Sequence, residues 1–404
     1  MSNPNRLSLL AFVLASLAIA ASCASANDSL SPSAVGGGDA ASGSTTPSTP
    51  GEAGLRTDAS ESPDAPAIPD ASRPDIDASA FANAKCGSTP PSGAPEPPPL
   101  PAYSGGTCPA LVAGTNTITS SASARQFILV LPSQYGKGST PPAPLPLFVM
   151  WHYIGGDAAG MVKNAQAQSS ADALNVIIAV PNKKGDVALP FYSGVDFAWP
   201  YLTTSSDARV AEEVTFFDDM VTCVSAQYPI DQSCISTVGV SAGALWVSQL
   251  AQSRSERLAS ALVISGGIGP ALPIAQGVVD VRGWNGMPRP IPMAIGWGGP
   301  MDQCGVDFDT ASHNLETAVK PGGNFVVECI HNCGHAVPPV DPTTGLKDLY
   351  QFALDHPYWL PPGASPYLAT GLPPNTPSWC GIGIGSAVMR TGACPSSNVS
   401  CPPL

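Results

Sequence analysis

The stretch Ile235-Ser-Thr-Val-Gly-Val-Ser-Ala-Gly243 decides the fold. Its first six residues predict a short buried strand, and the residues from Ala242 onward fit an amphipathic helix. A Gly-x-Ser-x-Gly pattern between a strand and a helix is typical of a nucleophile elbow, where the serine lies on a strained turn and its neighbours must be small. Helix N-terminal N–H groups near that turn favour developing negative charge. Ser241 is therefore the predicted nucleophile, and an ordinary strand-to-helix turn is the alternative.

Short apolar segments alternate with helical segments on both sides of this stretch. The pattern continues to about residue 356 without a second linker. Such alternation predicts an α/β fold with a mostly parallel central sheet and helices on both faces. The predicted strands are 125–132, 146–152, 175–181, 235–240, 260–265, 291–296 and 324–330, and the predicted helices are 158–172, 207–226, 242–255, 309–320 and 344–355.

A serine nucleophile needs a base, and the base needs a carboxylate that orients it. In nucleophile-elbow hydrolases these residues follow in the order Ser, Asp or Glu, His. His331 and His335 both follow the last predicted strand; His335 is the predicted base and His331 the reserve. Asp302 stands in the first turn after the strand 291–296 and is the predicted acid, with Asp307 as the alternative.

Two backbone N–H groups are predicted to hold the oxyanion. One belongs to Ala242, directly after the nucleophile, and the other to Tyr153, in the loop Trp151–Gly156 that follows an early strand. Four further aromatic residues are candidates either for a substrate cleft or for the core; these are Trp199, Tyr201, Trp246 and Trp297.

A metal site is the rival interpretation of one segment. Cys329, His331, Cys333 and His335 occupy every second position, so an extended strand would present all four on one face. Cys and His sets of this kind bind zinc. An exported protein would more readily oxidise such thiols, so the sequence predicts neither a metal nor another cofactor.

Composition limits the class of protein. The chain has 404 residues, a formal net charge of −13 and 11 Cys. The acidic balance argues against nucleic-acid binding, which needs a basic footprint. Eleven cysteines are too many for a reduced cytosolic enzyme and indicate disulfides in an oxidising compartment. Without Cys23, ten remain, which is compatible with five bridges.

The N-terminal residues 1–23 are predicted to be an export signal. Arg6 precedes an apolar run that is too short to span a bilayer, and small residues end it. Cys23 follows Ala20-Ala21-Ser22, which is similar to a bacterial lipobox, so its lipidation would attach the protein to a membrane. Ordinary cleavage after Ala24-Ser25-Ala26 is the alternative, and either gives an exported protein.

Three more segments follow the signal. Residues 24–102 are predicted to be a disordered Pro/Ser/Ala/Asp-rich linker, because ten acidic and three basic residues between 24 and 100 accompany almost no apolar bulk. Residues 103–370 are the predicted catalytic domain. Residues 371–404 are a Pro- and Gly-rich, cysteine-containing tail, predicted to be irregular and held by disulfides.

Taken together, these motifs resemble the secreted esterase family that includes poly(3-hydroxybutyrate) depolymerases, feruloyl esterases and acetyl xylan esterases. The likeness covers about residues 118–358. It rests on Arg125-x-Phe-x-Leu-x-x-Pro132, His152-x-x-Gly-Gly156, the helix segment Glu213–Asp219, Gly239–Ala244, the pair Cys223 and Cys234, and Gly334-His335.

This resemblance implies an α/β-hydrolase fold with Ser241, Asp302 and His335 as nucleophile, acid and base. It also suggests a Cys223–Cys234 disulfide, which would brace the strand that supports the nucleophile. Two features depart from the family. The early strand ends in His152-Tyr153 where His-Gly is usual. The acid loop is lengthened to Gly-Gly-Pro-Met-Asp302, so Asp307 stays an alternative for the acid.

The sequence therefore predicts an exported serine esterase that forms an acyl-enzyme. Its substrate would be a polyhydroxyalkanoate-type polyester or a feruloyl or acetyl ester. The alternative is a non-catalytic, surface-tethered binding protein that uses the same fold.

Overall fold

One mixed sheet of nine strands forms the centre of the protein in a computed structural model, which describes residues 77–138, 142–188, 196–272, 279–340 and 346–394. The predicted signal segment, Cys23 and the linker as far as residue 76 lie outside the described residues. The strands are β1 (Gly114–Ser120), β2 (Ser123–Val130), β3 (Leu145–Trp151), β4 (Ile177–Pro181), β5 (Ile230–Val240), β6 (Ser260–Ile264), β7 (Met293–Trp297), β8 (Val326–Ile330) and β9 (Cys380–Ile382).

The strand order places the nucleophile strand in the middle of the sheet. The order is β1-β2-β4-β3-β5-β6-β7-β8-β9. Six neighbouring strands run parallel; these are β4, β3, β5, β6, β7 and β8. The remaining strands, β1, β2 and β9, are antiparallel to their neighbours. The carboxyl ends of β5, β6, β7 and β8 therefore meet at one edge, where ligands bind in open parallel sheets.

Helices cover both faces of this sheet, as the alternating pattern predicts. The helices are α1 (Ala158–Asn164), α2 (Ala167–Leu174), α3 (Asp207–Ser225), α4 (Ala242–Arg254), α5 (Phe308–Val319), α6 (Lys347–Leu354) and α7 (Tyr367–Thr370), and the 3₁₀ turns are Ala78–Phe81, Gly299–Met301 and Lys320–Gly322. Residues of α3, α4 and α5 join one buried apolar cluster, and residues of α1, α2, α6 and α7 join the other. Among the described residues, no helix is long and apolar enough to cross a membrane.

The four candidate cleft aromatics belong to the core. Trp199, Trp246 and Trp297 have no exposed surface, and Tyr201 is 3% exposed. The Trp199 and Trp246 rings both pack edge-on against Trp151 at the end of β3. These side chains support the strand ends beneath the predicted site and do not line a cleft.

The structured domain begins before residue 103, so the predicted linker boundary at 102 is wrong. Cys86 is disulfide-bonded to Cys234 in β5, and Ala84 is buried. Arg257 donates hydrogen bonds to the carbonyl oxygens of Pro98 and Pro99. A covalent bridge and backbone hydrogen bonds fix this segment, which composition cannot reveal because neither needs apolar bulk.

The predicted Cys223–Cys234 disulfide is also wrong. Cys223, on α3, is bonded to Cys108, and Cys234 is bonded to Cys86. The eleven-residue spacing favours a local bridge, but the structure uses both cysteines to anchor the segment that precedes β1. None of the described cysteines is free.

The tail contributes a strand as well as bridges. β9 pairs antiparallel with β8, and Cys380 at its start is bonded to Cys329 directly opposite in the register. Cys394 is bonded to Cys333, close to the predicted base. The tail up to residue 394 is therefore held by disulfides, as predicted, although part of it extends the sheet.

Peptide mapping of the non-reduced protein is expected to recover Cys108 linked to Cys223 and Cys86 linked to Cys234. A peptide that joins Cys223 to Cys234 would contradict this arrangement. Replacing Cys108 and Cys223 together by Ser is expected to lower the free energy of unfolding by about 4 kcal/mol, because the bridge closes a loop of more than a hundred residues. Urea denaturation of this variant and the wild type measures the loss.

Candidate active site

Ser241 lies on a strained turn between β5 and α4. Its backbone has φ 55° and ψ −123°, a conformation that costs a non-glycine residue free energy and is held only where the surroundings enforce it. A Cβ on Gly239 would lie 2.3 Å from the Gly243 oxygen, and one on Gly243 would lie 2.1 Å from the Trp151 oxygen. Only glycine fits at either position, which explains the spacing of the motif.

Neighbouring strands on both sides hold this turn. Trp151, the last residue of β3, pairs with Gly239 on one side. On the other side, the Ser241 N–H donates to the carbonyl oxygen of Ile264 at the end of β6 (3.0 Å). The residues after β3 therefore lie beside the nucleophile, where the predicted oxyanion loop belongs.

The structure brings Ser241, His335 and Asp302 into one hydrogen-bonded chain. Nε2 of His335 lies 2.9 Å from the Ser241 Oγ, and Nδ1 lies 2.7 Å from Oδ1 of Asp302. The Phe308 ring, at the start of α5, stacks on the imidazole with 4.3 Å between ring centroids. The Asp302 carboxylate accepts a hydrogen bond from the Nδ1–H of His335, which leaves Nε2 free to accept the proton of Ser241.

Asp302 is fully buried, and its second oxygen is also bound. Oδ2 accepts hydrogen bonds from the Gly298 N–H (2.7 Å) and the Ser265 hydroxyl (2.8 Å). The 3₁₀ turn after β7 places the carboxylate here. A Cβ on Gly298 would lie 1.9 Å from the Gly334 oxygen, so glycine lets the acid loop approach the base loop.

Asp307, the alternative acid, has a different place in the structure. It is the N-cap of α5, where its Oδ1 accepts the Thr310 N–H at 2.9 Å. An aspartate is favoured there because it satisfies a helix N–H that has no partner within the helix. Of the two candidate acids, the structure therefore brings only Asp302 to the His335 imidazole.

His331, the reserve base, is buried in another environment. Its Nδ1 accepts the Cys333 N–H, and its ring lies edge-on to Trp379. Burial lowers the pKa of His331 to about 4, and burial also lowers that of His152 to about 4. Both imidazoles are therefore neutral at pH 7.

The side chain of Tyr153, where the resembled family has glycine, packs over Gly156 and contacts α1. A Cβ on Gly156 would lie 3.0 Å from the tyrosine ring, and the phenol oxygen accepts a hydrogen bond from Asn164 on α1 (2.7 Å). The Tyr153 carbonyl oxygen accepts the Gly156 N–H. The tyrosine thus braces the loop against α1. Ala242 is the first residue of α4, where helix N–H groups have no intrahelical acceptor.

Disulfides occupy the thiols of the rival zinc site. Cys329 and Cys333 are bonded to Cys380 and Cys394. In the part of the chain that the structure describes, no group of three or more His, Cys, Asp or Glu side chains could hold a metal ion.

Two residues of the site escape the sequence analysis. Phe308 covers the face of the His335 ring, and Ser265 holds the acid. Ser265 directly follows β6, whose carboxyl end meets those of β5 and β7, so its position at the edge was available as a signal. Nothing in the sequence near Phe308 distinguishes it from a core aromatic residue.

A buried carboxyl group on α5 makes stability depend on pH. Burial and the neighbouring Glu328 carboxyl raise the pKa of Glu316 from 4.5 to about 8. Asp309 adds a smaller like-charge contribution, and His313 contacts a Glu316 oxygen at 3.3 Å. The folded protein keeps this proton where the unfolded chain releases it, so stability falls as pH rises from about 4.5 to about 8.

Replacing Glu316 by Gln is expected to remove this dependence. The variant and the wild type should melt at similar temperatures near pH 4.5, and the variant should melt about 5–10 °C higher well above pH 8. Calorimetry across this range checks the difference, with the exposed Glu96→Gln as the matched control. A melting difference that does not change with pH would contradict the raised pKa.

Three solved structures share the architecture. Native pOPH is 20% identical with a TM-score of 0.51, covering 69% of this chain and 97% of its own. Native sOPH is 19% identical with a TM-score of 0.51, covering 69% and 97%. A serine-to-alanine pOPH variant in complex with pNPB is 18% identical with a TM-score of 0.52, covering 71% and 99%.

No protein-family model and no curated protein sequence matches the chain. At about a fifth identity, the structural likeness establishes the fold and nothing beyond it. Together with the strand order, it shows that this chain has the α/β-hydrolase fold.

Proposed function

We propose that the protein is a serine esterase that hydrolyses carboxylic esters through an acyl-enzyme. The hydrogen-bonded chain from Asp302 through His335 to Ser241 carries this proposal. It combines a nucleophile, a base within reach of the nucleophile's proton and a buried carboxylate that orients the base, which is the arrangement that acyl transfer needs.

In the first step, the Ser241 Oγ attacks the ester carbonyl carbon while its proton moves to Nε2 of His335. The C–O bond to the serine forms and the carbonyl π electrons move to oxygen. The N–H groups of Ala242 and Tyr153 stabilise this oxyanion. Removing one such donor typically costs about 10²–10³ in kcat, so the pair is a large part of the catalysis.

In the second step, the tetrahedral intermediate collapses and the bond to the leaving alcohol breaks. His335 gives its Nε2 proton to the leaving oxygen, and Asp302 stabilises the transient imidazolium. Water then attacks the acyl carbon and loses a proton to Nε2 of His335. The second tetrahedral intermediate collapses, its bond to the Ser241 Oγ breaks, and His335 returns the proton to that oxygen as the acid leaves. Two donors hold the Asp302 oxygen that faces away from His335, so the carboxylate needs no reorganisation during these steps.

The surroundings favour an ester with apolar groups. Exposed apolar side chains flank the acid and base loops: Met301 precedes Asp302, Val337 follows His335 by two residues, and Met389 lies against Gly299. This surface supports a polyhydroxyalkanoate-type polyester or a feruloyl ester more than a small polar ester. An acetyl ester of a polysaccharide remains within the proposed class.

Export is part of the proposal. Four disulfides in the described residues indicate an oxidising environment. We propose that residues 1–23 direct export and that lipidation of Cys23 attaches the protein to a membrane surface, with free secretion as the alternative.

One observation favours a non-catalytic, tethered binding protein instead. Tyr153 stands where the resembled family has glycine in the oxyanion loop. Its ring packs over Gly156, and its phenol oxygen accepts a hydrogen bond from Asn164, so a large side chain occupies this part of the loop.

Hydrolysis of p-nitrophenyl butyrate by the purified wild type tests the esterase against the binding protein. We expect saturable release of p-nitrophenol with kcat in the ordinary enzyme range, about 1–10³ s⁻¹. A folded protein without this activity on p-nitrophenyl acetate, butyrate or octanoate would support the binding protein. Parallel assays on polyhydroxybutyrate and methyl ferulate then distinguish the substrate classes.

A further inference from the structure

Ser265 links the strand that supports the nucleophile to the loop that carries the acid. It directly follows β6, and the preceding residue, Ile264, accepts the Ser241 N–H. The Ser265 hydroxyl donates to Oδ2 of Asp302 at 2.8 Å. One dipeptide at the end of β6 therefore contacts two members of the triad.

The backbone at this position is strained. Ser265 has φ 48°, a left-handed conformation that residues other than glycine, asparagine and aspartate rarely adopt. Its N–H donates to the Gly296 carbonyl oxygen at 2.7 Å, which holds the residue against the end of β7. Strain of this kind is retained where the surrounding structure enforces it, often at functional sites.

The hydrogen bond between the Ser265 hydroxyl and Asp302 is buried. Ser265 is 2% exposed and Asp302 is fully buried, so water does not compete for the bond. With the Gly298 N–H it fixes Oδ2, and Oδ1 is left to face His335. A carboxylate fixed through one oxygen presents the other in a single orientation.

We propose that Ser265 is a positioning residue for ester hydrolysis. It holds the Asp302 carboxylate in the orientation in which Oδ1 faces Nδ1 of His335. This inference rests on the proposed esterase function. It assigns Ser265 no contact with the substrate. Its effect should therefore fall on kcat and leave KM nearly unchanged, because the hydroxyl acts through the acid.

Two variants separate the hydroxyl from the backbone. Ser265→Ala removes the hydroxyl and keeps the Cβ, whereas Ser265→Gly removes the hydroxyl and also relieves the strain at positive φ. With p-nitrophenyl butyrate, we expect both to lower kcat by about tenfold, the effect of losing one hydrogen bond to a charged group, with KM within twofold. Because Ser265→Gly suits the backbone, its melting temperature should be no lower than that of Ser265→Ala.

Ser312→Ala is the matched control. Ser312 is a buried serine whose hydroxyl donates to the Gly266 carbonyl oxygen, next to Ser265, and the described contacts do not link its side chain to the triad. We expect its kcat to equal that of the wild type. An equal loss in Ser312→Ala would show that any buried hydroxyl of this segment matters and would overturn the positioning role.

The outcomes distinguish this proposal from the esterase proposal. An active wild type whose Ser265→Ala and Ser265→Gly variants keep full kcat overturns the positioning role alone. A rise in KM with unchanged kcat also overturns it, because that result indicates contact with the substrate. A folded wild type without esterase activity overturns both proposals.

Discussion

Ser241→Ala is expected to lower kcat for p-nitrophenyl butyrate by about 10⁵-fold or more, the scale seen when a serine hydrolase loses its nucleophile. Alanine removes the Oγ that forms the bond to the carbonyl carbon, so His335 has no serine proton to take and Asp302 has no imidazolium to stabilise. The oxyanion N–H groups remain, so a small rate above that of water should persist.

Ser248→Ala provides the control for this loss. Ser248 is also a buried serine near the turn, and its hydroxyl donates to the Ala244 carbonyl oxygen within α4. We expect its activity to match the wild type within twofold, and both variants should show the wild-type circular dichroism spectrum. A Ser241→Ala protein that keeps more than about a tenth of the rate would exclude a serine acyl-enzyme.

Asp302→Asn is expected to lower kcat by about 10³–10⁴-fold. An asparagine has nearly the same shape but turns an N–H toward His335, so the imidazole must accept at Nδ1 and carry its proton on Nε2. In that tautomer Nε2 cannot accept the Ser241 proton. The Ser265 hydroxyl and the Gly298 N–H both donate to the Oδ2 position, which favours the amide oxygen there and places the amide N–H toward His335.

Asp307→Asn distinguishes the two candidate acids. Asn caps a helix about as well as Asp, so α5 should keep its N-terminal hydrogen bond and the protein its stability. We expect a change in kcat of less than threefold. The kcat of Asp302→Asn and that of Asp307→Asn, both measured at pH 7–8, are compared with that of the wild type. A severe loss in Asp307→Asn, with Asp302→Asn nearly active, would move the acid assignment to Asp307.

The sequence predicts the parts of the site that local rules determine. The Gly-x-Ser-x-Gly spacing identifies the nucleophile elbow in the sequence, because a strained turn packed against backbone oxygens admits only glycine at positions 239 and 243. The acid and base follow from chain order, because parallel strands bring residues after β5, β7 and β8 to one edge. The alternation of short apolar segments with helical segments predicts a mostly parallel sheet with helices on both faces, because helices connect successive parallel strands.

The remaining features depend on contacts between distant segments. Cys108 lies 115 residues before its partner Cys223, and no local pattern shows that pairing. The segment before β1 is held by a bridge and by Arg257, so its composition suggests a linker. Trp199 and Trp246 carry aromatic side chains that suit either a substrate cleft or the core. Only their packing around Trp151 shows that they are buried.

Single-turnover acylation tests the central claim most directly. Purified protein mixed with a slowly released p-nitrophenyl ester should release one equivalent of p-nitrophenol in a burst. Mass spectrometry of the acid-quenched protein should then place one acyl group on the peptide that contains Ser241, and Ser241→Ala should show neither signal. An active wild type without an acyl adduct, or with the adduct on another residue, would contradict the account.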